Sequence, residues 1–183
     1  MPLPAGVRTV PDVALVSGSD ALLSLGGDGT MLGALRLAVD DPTPVLGINL
    51  GNLGFLAEIG PAELPAALAR LAAKDFSVEP RSCLRVRSGS WSAVYFNELA
   101  LVREPGQGYV LVSFVVEGRP YGYSECDALA VATPTGSTAY SYAAGGPLLS
   151  PAGDAIVLTP VAPMAGFSRS LVTAAVEPVQ LAL

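Results

Sequence analysis

The chain has 183 residues, 51% hydrophobic and 14% charged, with a net charge of −6. That suits one large domain or two small ones with a proper core and excludes a disordered segment, and the acidic balance without a basic run excludes a nucleic-acid groove. There is no histidine, and Cys83 and Cys126 stand far apart, which excludes a zinc site and any Ser-His-Asp or Cys-His catalytic unit. Proton transfer therefore falls to a carboxylate, a lysine or a tyrosine. Apolar stretches are interrupted well before the length of a bilayer span, and no secretory start is seen, so the expectation is a cytoplasmic protein without a membrane partner.

Frequent glycine and proline favour short elements. From Val13 to about Lys74 strand-like and helix-like runs alternate. DALLSL (20–25) reads as a buried strand ending in glycines, and TMLGALRLAV (30–39) as a helix apolar enough on all sides to be largely buried. PVLGINL (44–50) is a second strand, and PAELPAALARLAAK (61–74) an amphipathic helix with Pro61 in its first turn. This order predicts a parallel α/β layer over residues 1–75.

Over residues 76–183 the pattern changes. CLRVRSG, WSAVYFNELALVRE, YVLVSFVVEGRPYGYSE and DALAVAT are β-rich runs separated by Gly, Pro and Ser, which predicts an antiparallel, sandwich-like assembly. Only 137–145 reads as helical there, with Ser137 as its N-cap. A cleft between the two halves is the natural place for a ligand.

Gly26-Gly27-Asp28-Gly29-Thr30 joins a strand to a helix. Bare glycine lets a ligand approach the backbone, and free amides at a helix start favour phosphate. A carboxylate among phosphate donors repels the ligand unless it accepts a proton from an attacking hydroxyl or helps to hold Mg²⁺. The spacing matches neither the P-loop nor the dinucleotide fingerprint. A tight turn with Asp28 as helix cap is the structural alternative.

Further polar residues interrupt apolar runs. Asn97 and Glu98 break AVYF…LALV, where alternation places neighbours on opposite faces, and burial would demand partners for both. Asn can pair with an adenine edge and Glu can accept ribose hydroxyls; a strand end or bulge in water is the other possibility. Asp127 could accept from a carboxamide or ribose group, or simply start a strand in solvent; Glu125 shares its face. TPTGSTAYSY (133–142) carries seven hydroxyl side chains in ten positions before paired glycines. There Thr138, Ala139, Tyr140 and Ala143 would offer a flat ring close approach, unless the segment is only a Ser/Thr-rich turn capping a buried helix.

In order, GGDGT, INLGNLGFL, NELALVRE, DALAVATPTGSTAYSYAAGGPLLSP and DAIVLTPVAP resemble the NAD kinase family over about residues 20–165. GGDGT alone is shared with diacylglycerol and sphingosine kinases, whereas the TPTGSTAYSxxAGGP segment is far more specific. The resemblance implies an α/β domain, a β domain, and transfer of the ATP γ-phosphoryl to the adenosine-ribose 2′-hydroxyl of NAD. It implies Asp28 as proton acceptor and Gly26, Gly27, Gly29 and Thr30 at the phosphates, with Mg²⁺ on ATP and no protein metal site. As NAD contacts it implies Asp28, Gly29, Asn97, Glu98, Asp127, Thr138, Ala139, Tyr140, Ser141, Ala143 and Ala162. Phe55 matches a site-lining aromatic, with core packing as its alternative. Dimers or tetramers are implied as the assembly.

Departures from the family pattern are Ala143 for Ser, Glu125 for a basic residue, and Met164 where a histidine is usual; the chain is also short at both ends against that pattern. Two alternatives follow: an impaired NAD(P)-binding relative with a regulatory role, or a lipid or sugar kinase sharing only GGDGT.

Overall fold

The computed structural model describes residues 16–51 and 54–183. Val13, and Asn52 and Leu53 of the INLGNLGFL stretch, lie outside the described residues. The chain divides into two compact units, Met1–Glu79 and Pro80–Leu183.

In the first unit β1 (Leu22–Gly26) pairs in parallel with β2 (Val45–Asn49), and α1 (Asp28–Leu37) makes the crossover between them. Ile48 and Met31 anchor the small core. Gly47 meets Ala57 so closely that a Cβ would touch its Cα at 2.8 Å. Two expectations need correction. Alternation on β1 buries Ser24 and exposes Leu23 and Leu25, so the strand is not buried throughout. α1 starts at Asp28 and fully buries only Met31, because just one side of it meets the strands. Pro61–Glu63 form a 3₁₀ turn, where the Gly60 amide donates to the Glu63 carboxylate at 2.8 Å. α2 (Leu64–Ala72) follows, with Leu64, Ala67 and Leu71 as its half-buried stripe.

The second unit is a β-sandwich. A hairpin of β3 (Leu84–Ser88) and β4 (Trp91–Tyr95) precedes β5 (Glu98–Val102), β6 (Val110–Val116), β7 (Arg119–Cys126) and β8 (Ala128–Ala132). After α3 (Tyr140–Ala143) come β9 (Ala155–Val161), β10 (Ala165–Gly166), β11 (Leu171–Ala174) and β12 (Val179–Ala182). The sheets run β10-β7-β6-β12 and β11-β9-β8-β5, all antiparallel. Val112 and Phe114 from one sheet meet Leu129, Val131, Ile156 and Leu158 from the other. Glu117 and Gly118, both at positive φ (49° and 75°), turn β6 into β7. The expected α/β layer followed by a β-rich half is the observed fold.

Every residue of β8 is buried. Leu129 and Val131 face the sandwich core, and α3 packs on β8 and β9, where Ala130 and Ala132 leave room for it. That small helix rests on the outer face of the sheet.

Candidate functional site

At the first unit's glycine turn the helix opens with Gly27 as N-cap residue and Asp28 as its first helical residue. Asp28 does not cap the helix. Its carboxylate instead accepts the Phe55 amide at 2.8 Å through Oδ2 and the Leu56 amide at 3.0 Å through Oδ1. Gly54 is required by this contact, because a Cβ there would overlap the Asp28 carboxylate. Gly27 and Gly29 face open space on their Cβ side, while Thr30 lies over Gly26. Core packing does not account for Phe55, whose side chain is 81% exposed.

In the second unit the strand run 91–104 breaks at Phe96–Asn97, and Glu98 begins β5 opposite Ala132. That register puts Glu98 on the sheet face that carries α3. The Tyr140 amide donates to its carboxyl, giving Glu98 the partner that burial demands, while Oε2 is buried without a hydrogen-bond partner among the described residues. Burial pushes the Glu98 carboxyl above the usual carboxylate range, and the Tyr140 hydrogen bond offsets part of that rise.

The hydroxyl segment folds as a 3₁₀ turn, Gly136–Thr138, then a break at Ala139, then α3, instead of one helix over 137–145. Ser137 is not a helix cap: its hydroxyl donates to the Pro134 carbonyl at 2.6 Å and accepts the Leu149 amide at 2.9 Å. Thr138 turns its hydroxyl onto the Thr135 carbonyl at 3.0 Å. Ser141 is fully buried, bonded at 2.8 Å to Thr159, which reaches Ser170 at 3.0 Å. Tyr140 and Ala143 are exposed and Ala139 half-buried.

Asp127 sits at the bend where the chain passes from one sheet to the other. The sheet change separates it from Glu125 on β7, and its Oδ1 pairs with Arg103 Nε at 2.8 Å. Ala162 follows β9 at positive φ (47°), a strained conformation for alanine, and the adjacent Val161 carbonyl accepts the Asp127 amide at 3.0 Å. The predicted residues of this unit thus form two groups at opposite ends of β8. Asn97, Glu98 and the 138–143 turn lie at one end, Asp127 and Ala162 at the other.

Residues 10–76 match the model of the ATP-NAD kinase N-terminal domain, and residues 96–183 match that of the ATP-NAD kinase C-terminal domain. The chain belongs to the NAD kinase family. It is 41% identical to the NAD kinase of Mycobacterium bovis over 170 residues, which is 88% of this chain and 54% of that protein. To the Rhodococcus erythropolis NAD kinase it is 41% identical over 175 residues, 91% of this chain and 54% of the relative. The chain therefore spans about half the length of the curated relatives it matches. The crystal structure of yeast NADH kinase complexed with NADH superposes with a TM-score of 0.83 at 30% identity, covering 94% of this chain and 50% of that one. An NAD kinase from Archaeoglobus fulgidus in complex with ATP gives 0.75 at 31% identity, covering 88% and 64%. These comparisons do not favour a lipid or sugar kinase.

Sequence reading assigned no role to Thr133, Gly54, Gly136 or Gly146. The glycines' signal is steric and arises only in three dimensions. A Cβ at Gly136 would strike the Asn97 carbonyl, and one at Gly146 would strike the Ser141 and Thr159 hydroxyls.

Proposed function

We propose that the protein is an NAD kinase, transferring the γ-phosphoryl of ATP to the adenosine-ribose 2′-hydroxyl of NAD. The observation that carries this is the Asp28 carboxylate, held by two backbone amides beside bare glycines in a family-matched turn. Each oxygen keeps a second lone pair, so the group can still accept a proton. In the step, the 2′-oxygen attacks the γ-phosphorus and its proton passes to Asp28. The bond to the β,γ-bridging oxygen breaks, and ADP leaves with that electron pair. Gly26, Gly27, Gly29 and Thr30 would meet the phosphates, and positioning supplies most of the acceleration.

NADH and ATP in the two solved relatives support a dinucleotide acceptor and a nucleotide donor here. Glu98, with one buried oxygen that no described residue donates to, would take a ribose hydroxyl, and Asn97 a base edge. Thr138, Ala139, Tyr140 and Ala143 would shape the wall, with Ser141 acting from behind it and Phe55 offering a ring face. Asp127 and Ala162 would meet the far part of the ligand. The four steps along β8, roughly 13 Å, suit two linked nucleotides better than one.

Magnesium would arrive on the ATP phosphates and neutralise their charge. Among the described residues no three His, Cys, Asp or Glu side chains gather to hold a metal, so the phosphates would carry the ion, with Asp28 as the nearest carboxylate of the glycine turn. A dimer or tetramer belongs to the same reading, and light scattering tests it.

The direct experiment incubates the protein with NAD, ATP and Mg²⁺ and measures NADP. NADP formation abolished by Asp28→Asn is the expected result. NAD binding without turnover would instead select an impaired relative.

A further inference from the structure

We infer that Thr133 is the positioning residue of the acceptor site, its hydroxyl fixing Asn97 and Glu98 against the turn that carries Thr138 to Tyr140. This rests on the proposal that those residues meet NAD. Thr133 is wholly buried and belongs to none of the contacts assigned above. Its Oγ1 donates to the Phe96 carbonyl at 2.5 Å and accepts the Gly136 amide at 3.0 Å. Its own amide donates to the Asn97 carbonyl at 2.9 Å, and its carbonyl accepts the Ser137 amide at 2.8 Å. One residue thus bonds to both sides of the junction.

Steric contact reinforces the bonding. Gly136 lies against the Asn97 backbone with no room for a Cβ. From Gly136 the chain runs to Tyr140, whose amide returns to Glu98. Phe96, Thr133, Gly136, Tyr140 and Glu98 therefore form a closed circuit, with the Thr133 hydroxyl at its centre. A site that recognises a sugar hydroxyl needs its acceptor held to within about 0.5 Å, and side-chain packing alone does not hold a strand break that tightly.

Thr133→Val keeps the shape, removes the hydroxyl, and leaves the Phe96 carbonyl and the Gly136 amide unpaired. In the full chain, the expected result is a roughly tenfold or greater rise in KM for NAD, with KM for ATP and kcat within about twofold of the parent. Thr133→Ser keeps the hydroxyl and should restore KM for NAD to within about twofold. A folded Thr133→Val protein with unchanged KM for NAD overturns the inference and leaves the NAD kinase reading intact. No NADP from the parent protein overturns that reading and this inference with it. Should Thr133→Val fail to fold, Thr133→Ser decides. If KM for NAD rises roughly tenfold at native melting temperature, the methyl group and not the hydroxyl is responsible, and the inference falls.

Discussion

The backbone amide of Tyr140 donates to the carboxyl of Glu98, and the second oxygen of that carboxyl is buried with no partner among the described residues. Burial raises the Glu98 pKa above its ordinary value of 4.5, so folding favours the protonated form more than the unfolded chain does. Glu98 therefore stabilises the fold fully below pH 4.5, and that contribution is lost as pH rises through the raised folded value. Glu98→Gln should melt a few degrees higher than the parent at pH 7, roughly the shift of a modest stability gain, and the advantage should vanish below pH 4.5. Calorimetry across that range should find the two effects opposed, with NAD affinity reduced about tenfold in the variant at neutral pH.

Gly54 gives the second prediction. A methyl at this position overlaps the Asp28 carboxylate, so Gly54→Ala must push apart the loop amides and the acid they hold. NADP formation should fall by about 10²-fold or more, the scale of a displaced proton acceptor, while NAD contacts in the second unit stay unaltered. Steady-state kinetics that leave kcat at the parent value would show that the two amides do not position Asp28.

How far the chain was legible follows from which signals are local. The β-rich run YVLVSFVV announces β6, where Val112, Phe114 and Val116 turn inward while Leu111 and Ser113 are exposed. The change from α/β to β grammar was equally visible. Burial of α1 was not, because its all-round apolar pattern does not reveal that one face alone meets strands. Ser137 misled as a cap since its hydroxyl is taken by Pro134 and Leu149, the latter twelve residues away. Glu98 and Asp28 could be picked out as polar groups in unusual company. The atoms that hold them are backbone amides of Tyr140, Phe55 and Leu56, and no side-chain pattern encodes a backbone donor.

Thr173 supplies a control for the energetics. Its Oγ1 is buried and has no hydrogen-bond partner among the described residues, although the residue pairs regularly with Ile156 on β9. Thr173→Val removes the unsatisfied hydroxyl at constant shape and should raise stability by about 1 kcal/mol. Urea unfolding would register the gain as a higher midpoint at unchanged slope, with NADP formation as in the parent.

Ser141 separates a supporting role from a contacting one. Its hydroxyl is buried and points at Thr159, which continues to Ser170, so three hydroxyls join α3 to β9 and the segment before β11. Ser141→Ala leaves the Thr159 hydroxyl its Ser170 partner, whereas Thr159→Val breaks both links and strands the buried Ser141 hydroxyl and the half-buried Ser170 hydroxyl. Ser141→Ala should cost about 1 kcal/mol and Thr159→Val about 2 kcal/mol. The double variant should lose less than the sum, because both act on one network. A contacting Ser141 would behave differently: NAD affinity would drop in Ser141→Ala with little change in melting, and Thr159→Val would leave affinity alone. Melting and NAD titration on the same three proteins therefore distinguish a hydroxyl that holds the helix from one that touches the ligand.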